Sequence, residues 1–251
     1  MKRYRMLDGI RGFTLLGMMV YHLIWDLVYI FGWDITWYQT EVAYIWQQSI
    51  CWTFILLSGF CFPLGKRKLK RGITIFMSGF LVTVITGIFM PRDQVVFGVL
   101  TLLGSCMLLM IPLGHLLKGR KPELGMIMAA LLFVLFRNAN EGYGGFENWN
   151  LFVIPSSWYR NMFTAYLGFP YFGFMSSDYF SLVPWVFLFI FGYYLYFFIK
   201  GKNGLYYLEK GWSRYIEWIG RHSLIIYLLH QPVIMLALNL CYSLSSYFNR
   251  L

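Results

Sequence analysis

The chain has 251 residues, of which 59% are hydrophobic, 21% are aromatic and only 13% are charged. A soluble domain carries about 25% charged residues, so a water-soluble globule of this size is excluded. The net charge of +10 does not indicate nucleic-acid binding, because the basic residues lie between long apolar runs. Each run of about 20 apolar residues can cross a hydrocarbon core of ~30 Å. We therefore predict an all-α, polytopic integral membrane protein.

Seven apolar runs follow one another along the chain, without repeats and without a linker that would separate a second domain. The N-terminal MKRYR and the run after it are similar to a signal peptide. No small-residue cleavage site follows, so we interpret this run as an uncleaved first span. We predict a single domain over 1–251 with about seven transmembrane helices, near 9–30, 44–64, 72–90, 95–117, 124–136, 182–199 and 222–242.

The positions of the lysines and arginines predict the orientation of the chain. If the N-terminus is cytoplasmic, 17 of the 21 basic residues lie in cytoplasmic segments. The four others are Arg92, Arg137, Arg160 and Arg250. Cytoplasmic loops carry an excess of lysine and arginine, so we predict a multi-pass protein of the plasma membrane with its N-terminus inside and its C-terminus outside.

Two connections between the runs are rich in aromatic residues. The longest, 137–181, is then extracytoplasmic and also carries many glycines and amides. Long ordered loops are usually functional, and these side chains suit a sugar; an interfacial aromatic belt is the alternative. The cytoplasmic segment 203–221 is predicted to be an amphipathic helix in the membrane interface. Its expected lipid-facing residues are Trp212, Tyr215, Trp218 and Ile219.

Ionisable residues lie along one face of the first predicted span. At ~100° per residue, Arg11 and His22 differ in direction by only about 20°. Asp8 lies three residues before Arg11 and Asp26 lies four residues after His22, so both share that face. Arg11 and His22 are separated by about 16 Å along the axis. An ionisable residue deep in a membrane is a functional candidate by default, although Arg11 as a snorkelling residue and His22 in a helix–helix hydrogen bond are alternatives.

This polar stripe has a chemical interpretation. An imidazole at membrane depth can serve as general base, and Asp26 can fix its tautomer or bind an acceptor. An arginine at the cytoplasmic end suits phosphate, so a long phosphorylated donor such as a coenzyme A thioester matches the stripe. The basic runs KRKLKR and KGRK would add attraction for the nucleotide, or they serve only as topology signals. His230, about 12 Å into the last span, either joins His22 or has a packing role.

Several segments resemble one known family. LDGIRGFTLLGMMVYHLIWD resembles the opening of the transmembrane acyltransferases, which share an arginine, ten residues and a histidine, here Arg11 and His22. FILLSGFC, VVFGVLTLLG, LGFPYFGFMSSDYFSLVPWVFLFIFGYYL and IGRHSLIIYLLHQPV are similar to the heparan-α-glucosaminide N-acetyltransferase catalytic-domain family, in particular to its small bacterial members.

The resemblance implies transfer of an acetyl group from cytoplasmic acetyl-CoA to an extracytoplasmic acceptor, for which a sugar or cell-envelope glycan or glycolipid is expected. It also implies that His22 is essential, either as acetyl carrier or as general base. We expect no metal, because the four cysteines show no metal-ligand spacing. The expected site residues are His22 and Asp26 for catalysis, Arg11, Arg5 and Arg221 for acetyl-CoA, and Asp178, Trp185 and His230 for the acceptor.

Other functions stay open at this point. The alternative is a proton-coupled transporter or permease for a small anion or sugar, in which the stripe relays protons. Inverted repeats would favour it, and the sequence shows none. A seven-span receptor or structural protein is a third possibility, which the polar stripe disfavours. The expected partners are acetyl-CoA, the acceptor and the lipid bilayer, without nucleic acid. The sequence leaves the oligomeric state open, with a homodimer as one possibility.

Overall fold

The computed structural model describes residues 3–248 and is mostly helical. Lys2 and Arg250, which contribute to the predicted charge asymmetry, lie outside the described residues. A short antiparallel hairpin of strands β1 (Tyr143–Phe146) and β2 (Trp149–Val153) follows the fifth helix. The helices are α1 (Arg5–Tyr29), α2 (Glu41–Cys61), α3 (Lys68–Phe89), α4 (Val99–Leu117), α5 (Pro122–Leu135), α6 (Met162–Leu167), α7 (Trp185–Gly201), α8 (Arg214–Arg221) and α9 (Ser223–Phe248).

A helix stands at each of the seven predicted spans. Within residues 3–248, four helices are long and apolar enough to cross a membrane: α1, α3, α4 and, over Ser223–Leu244, α9. The apolar helices α5 and α7 have 14 and 17 residues. At 1.5 Å per residue they measure roughly 21 and 26 Å, less than the hydrocarbon core. The structure thus confirms a helical membrane protein, whereas the seven-span count and the orientation stay predictions.

The helices fall into two compact units, and the boundary lies within α2. The first unit comprises 3–54 and 205–248, and the second comprises 55–204. In the first unit, Leu15 and Met18 of α1 pack with Ile50 of α2. Partly buried side chains of α8 and α9, among them Ile219 and Ile226, cover this cluster. The first unit therefore has an apolar core of its own, formed by helices from both ends of the chain.

Helices α1 and α8 cross at a pair of glycines. A Cβ atom added to Gly12 would lie 2.0 Å from the carbonyl oxygen of Ile216, and one added to Gly220 would lie 1.9 Å from that of Asp8. Both distances are shorter than any non-bonded carbon–oxygen contact, so only glycine fits at either position. Small residues at helix interfaces let backbones approach closely, as is typical of membrane proteins. The crossing holds α8 against the N-terminal third of α1.

The predicted amphipathic segment is only partly helical. Gly204–Glu209 forms a 3₁₀ turn, and the α-helix is limited to Arg214–Arg221. Trp212, Tyr215 and Trp218 are exposed, as expected for side chains directed to lipid. The prediction for Ile219 was wrong: this side chain packs against the core of the first unit.

In the second unit, two more glycine pairs lie where helices touch. A Cβ on Gly59 of α2 would lie 2.0 Å from the carbonyl oxygen of Phe189, and one on Gly192 of α7 would lie 2.1 Å from that of Leu56. A Cβ added to Gly79 of α3 would lie 2.5 Å from the backbone nitrogen of Thr101, and one added to Gly104 of α4 would lie 2.4 Å from that of Phe76. Close backbone packing therefore recurs in both units.

The connection 137–181 is ordered. It contains the hairpin and α6, whose N-terminus is closed by a capping box between Asn161 and Thr164. The side chain of Ser176 both accepts from and donates to the backbone of Val96, at 2.9 Å each way. Ser177 donates to the carbonyl of Asp93. These bonds tie the end of the connection to the residues that precede α4.

Candidate active site

The predicted site residues of α1 lie against α9 in the first unit. Nε2 of His230 lies 3.3 Å from Nδ1 of His22, and the ring centroids are 4.9 Å apart. One turn further along α1, Nε2 of Gln231 donates to both carboxylate oxygens of Asp26, at 2.7 and 3.0 Å. Two polar pairs therefore link α1 to α9, and they involve consecutive residues of α9.

The hydrogen bonds of the two histidines assign their tautomers. A backbone carbonyl oxygen only accepts, so the ring nitrogen that faces it carries the hydrogen. Nδ1 of His22 lies 3.1 Å from the carbonyl oxygen of Met18, and Nδ1 of His230 faces the carbonyl of Tyr227. A charged imidazole in an apolar helix is expensive, so we take both rings as neutral. Each Nδ1 is then protonated and each Nε2 has a lone pair.

This assignment gives His22 a free basic nitrogen. The Nδ1–H of His22 is shared between Met18 and Nε2 of His230, both of which can accept it. Among residues 3–244, whose side chains the structure describes, none forms a hydrogen bond with Nε2 of His22. The His22 side chain is only partly buried. Its Nε2 can therefore act as a nucleophile or a general base, with its orientation fixed from the Nδ1 side.

Asp26 has a different environment. It is fully buried, and both of its carboxylate oxygens accept from the Gln231 amide. Gln231 was not predicted from the sequence. The available signal was weak: it is an amide within an apolar helix, next to His230, and such side chains usually hydrogen bond to a neighbouring helix.

Basic residues gather at the other end of α1. Nη1 of Arg11 lies 3.4 Å from Oδ1 of Asp8, which confirms that the two predicted stripe residues are adjacent. Nε of Arg5 donates to the buried Glu217 of α8 at 2.9 Å. Arg221 is exposed and donates to the carbonyl of Glu217, on its own helix. The first unit thus brings the three arginines predicted for acetyl-CoA to the α1–α8 region. It also places there an acidic partner for Arg5, Glu217, which was not predicted.

The ion pair with Arg5 affects the acidity of Glu217. The hydrogen bond and the positive charge of the Arg5 guanidinium hold the pKa of the Glu217 carboxyl below its usual value of 4.5. Glu217 is therefore ionised at neutral pH, and α8 carries a carboxylate beside the N-terminal arginines.

A cavity of about 280 Å³ lies between α1 and the first half of α2. It is lined by Ile10, Phe13, Thr14, Gly17, Trp46, Ser49, Ile50 and Thr53. The lining positions of α1 point roughly 130° away from His22 around the helix axis. This cavity is therefore not on the polar face of α1.

The two remaining predicted residues lie in the second unit. The carboxylate of Asp178 accepts a hydrogen bond from the backbone N–H of Val99, so it closes the N-terminus of α4. Burial raises the pKa of this carboxyl to about 6. Trp185 is 3% exposed, and the guanidinium of Arg137 lies 5.1 Å from its ring centre. These contacts give both residues a structural role, and acceptor binding by them stays a prediction.

The fold and the site together define a helical membrane protein with a histidine pair between its first and last long helices. A family model described as "Heparan-alpha-glucosaminide N-acetyltransferase, catalytic" matches residues 3–232. The chain belongs to this family, as the resemblance predicted, and membership implies an acetyltransferase-type enzyme. The matched range ends at Pro232 and so includes both polar pairs. Comparison with curated proteins and with solved structures finds no match.

Proposed function

We propose that the protein transfers an acetyl group from cytoplasmic acetyl-CoA to an extracytoplasmic acceptor, a sugar or a cell-envelope glycan, at Nε2 of His22. The observation that carries this proposal is the free Nε2 of His22, which is oriented by hydrogen bonds at Nδ1. Membership of an acetyltransferase family supplies the reaction class.

Two reaction courses use the same nitrogen. In the first, Nε2 attacks the thioester carbonyl, the carbon–sulfur bond breaks, and an acetyl-imidazole forms before the acceptor takes the acetyl group. In the second, Nε2 removes the proton of the acceptor hydroxyl or amine while the acceptor attacks the thioester carbonyl; the carbon–sulfur bond breaks, and the leaving CoA thiolate takes the proton from His22. Either course makes the His22 ring cationic for a time. The Met18 carbonyl and Nε2 of His230, both acceptors at Nδ1–H, stabilise that cation.

The donor would extend along α1. Arg11 is separated from His22 by a rise of about 16 Å, which suits a coenzyme with anionic phosphates at one end and a thioester at the other. Guanidinium groups pair well with phosphate, so Arg5, Arg11 and Arg221 are the residues proposed for the nucleotide end. Arg5 would exchange its bond with Glu217 for a phosphate when the coenzyme binds.

The test uses purified protein in proteoliposomes with radiolabelled acetyl-CoA. We expect release of CoA and transfer of label to an added aminosugar, and we expect His22→Ala to reduce both by at least about 100-fold. Trp37→Phe changes an exposed residue of the first unit and controls for losses of activity during purification and reconstitution; it should retain both activities. Full activity in His22→Ala, or the absence of acetyl-CoA binding by the unaltered protein, would refute the proposal.

The same experiment separates the two courses. A labelled protein trapped without acceptor, with the label lost in His22→Ala, supports the acetyl-imidazole. Absence of label on the protein, together with transfer that requires both substrates, supports direct attack by the acceptor.

A further inference from the structure

The Asp26–Gln231 pair contains a polar atom without a partner. In the part of the chain with described side chains, 3–244, Oε1 of Gln231 is buried and takes part in no hydrogen bond. A buried acceptor that is left unpaired destabilises the fold, so such groups normally have a partner in the working state of a protein. This atom is one residue along α9 from the histidine that contacts His22.

The orientation of the Gln231 amide is fixed by Asp26. A carboxylate only accepts hydrogen bonds, and both oxygens of Asp26 face Nε2 of Gln231. A rotated amide would place its oxygen against the carboxylate, where two acceptors repel each other. Oε1 must therefore point away from Asp26, and it can accept a hydrogen bond only from a group that is not Asp26.

The pair lies at one end of the histidine site. His22 and Asp26 are four residues apart on one face of α1, which is a rise of about 6 Å. His230 and Gln231 are consecutive on α9, and each contacts one of these two residues. Oε1 of Gln231 thus belongs to the residue next to the one that contacts His22, and on α1 its partner Asp26 is one turn from His22.

We propose that Oε1 of Gln231 binds an O–H or N–H group of the acetyl acceptor and turns the acceptor toward His22, while Asp26 acts as a positioning residue that holds the amide. Asp26 itself does not touch the acceptor, because it is fully buried and both of its oxygens face the Gln231 amide. The assignment of the ligand as acetyl acceptor rests on the proposed function; the binding site for a hydrogen-bond donor does not.

The test measures binding rather than turnover, by calorimetry on the full chain in lipid nanodiscs. The probes are glucosamine, which offers N–H and O–H groups, and methyl glucoside, which offers only O–H groups. We expect the unaltered protein to bind at least one probe, and Gln231→Met to weaken its Kd about tenfold, the value of one net hydrogen bond. Asn239→Leu is the matched control, because this exposed amide of α9 donates only to its own helix; its Kd should change less than twofold.

Two double variants guard against misfolding around an unpaired Asp26. Asp26→Leu with Gln231→Met removes both partners together, which leaves no buried polar group unpaired. Asp26→Asn with Gln231→Glu exchanges amide and carboxylate and retains an acceptor oxygen at position 231. We expect weak binding in the first and a Kd within about threefold of the unaltered protein in the second.

The outcomes are separable from those of the proposed function. Unchanged Kd values in Gln231→Met and in the apolar double variant, or binding of neither probe by the unaltered protein, would overturn this inference. Acetyl transfer by the unaltered protein with unchanged Kd values in the variants would leave the proposed function standing and remove Gln231 from it. Weakened binding in the Gln231 variants, without any acetyl transfer by the unaltered protein, would support the Gln231 binding site and contradict the proposed acetyltransferase activity.

Discussion

The crossing of α1 and α8 allows a stability prediction with a built-in control. In Gly12→Ala, the new methyl group would start 2.0 Å from the carbonyl oxygen of Ile216. A carbon–oxygen contact of about 3.3 Å is normal, so α8 has to move by about 1 Å. Backbone lies on both sides of the contact, so no side-chain rotation can relieve it.

The expected cost follows from the packing. Overpacking of this kind costs about 1–3 kcal/mol, whereas alanine in place of glycine favours a helix by about 1 kcal/mol. Gly9→Ala isolates the second effect: it is on the same helix, and its nearest atoms, in the Trp212 ring, are 3.8 Å away. The difference between the two variants is therefore the cost of the clash alone, about 1–3 kcal/mol.

The assay is thermal unfolding in detergent, followed by tryptophan fluorescence. For a chain of this size, 1 kcal/mol changes Tm by about 2–4 °C, so Gly12→Ala should melt roughly 2–12 °C below Gly9→Ala. Gly220→Ala, at the same crossing, should behave like Gly12→Ala. The double variant Gly12→Ala/Gly220→Ala should show a smaller decrease in Tm than the sum of the two single decreases, because the first substitution has already moved α8. A Tm for Gly12→Ala equal to or above that of Gly9→Ala would refute the close crossing.

Three further predictions concern charges and the histidine pair. Because the folded protein holds the pKa of Glu217 below 4.5, the ion pair with Arg5 stabilises the fold above that pH. Glu217→Gln should therefore lower Tm at pH 7, and the difference should shrink as the pH falls from 4.5 through the lowered pKa. The folded protein raises the pKa of Asp178 from 3.8 to about 6, so the stability of the protein falls as the pH rises from about 4 to 6. Asp178→Asn should remove this decline and raise Tm at pH 8, which thermal melts at several pH values will test. His230→Phe should lower kcat for acetyl transfer about tenfold, with less effect on KM for acetyl-CoA, because His22 loses the acceptor at Nδ1–H.

Each of these has an outcome that contradicts it. A Glu217→Gln difference that does not shrink as the pH is lowered from 4.5 would mean that packing, not charge, is lost. A decline with pH that survives in Asp178→Asn would assign it to another group. If His230→Phe changes KM for acetyl-CoA more than kcat, His230 binds the donor instead of orienting His22.

The positions of the helices were predictable because hydropathy is a local property of the chain. Arg11 and His22 could be placed on one face of α1 by the helical repeat alone, and the Asp8–Arg11 contact confirms the first part of this stripe. The same repeat failed for Ile219. It shows which residues share a face of a short helix, but not how deeply that helix packs against its neighbours, and Gly12 and Gly220 draw α8 close enough to bury part of this face.

The partners of the stripe depended on contacts between distant parts of the chain. His22 and His230 are 208 residues apart, and Asp26 and Gln231 are 205 residues apart. No periodicity within α1 or α9 indicates which residues of the two helices meet, because the register depends on side-chain packing along the whole interface.

The amino-acid sequence by itself therefore determined the class of protein, the family and the polar face of α1, since composition, motif spacing and helical phase are all properties of the unfolded chain. Only the tertiary structure decided that Nε2 is the free nitrogen of His22. It also decided that the Gln231 amide donates to the Asp26 carboxylate, and that Glu217 accepts a hydrogen bond from Arg5. The physical reason is that a hydrogen bond is directional and short, so its partners are defined only when the helices have packed.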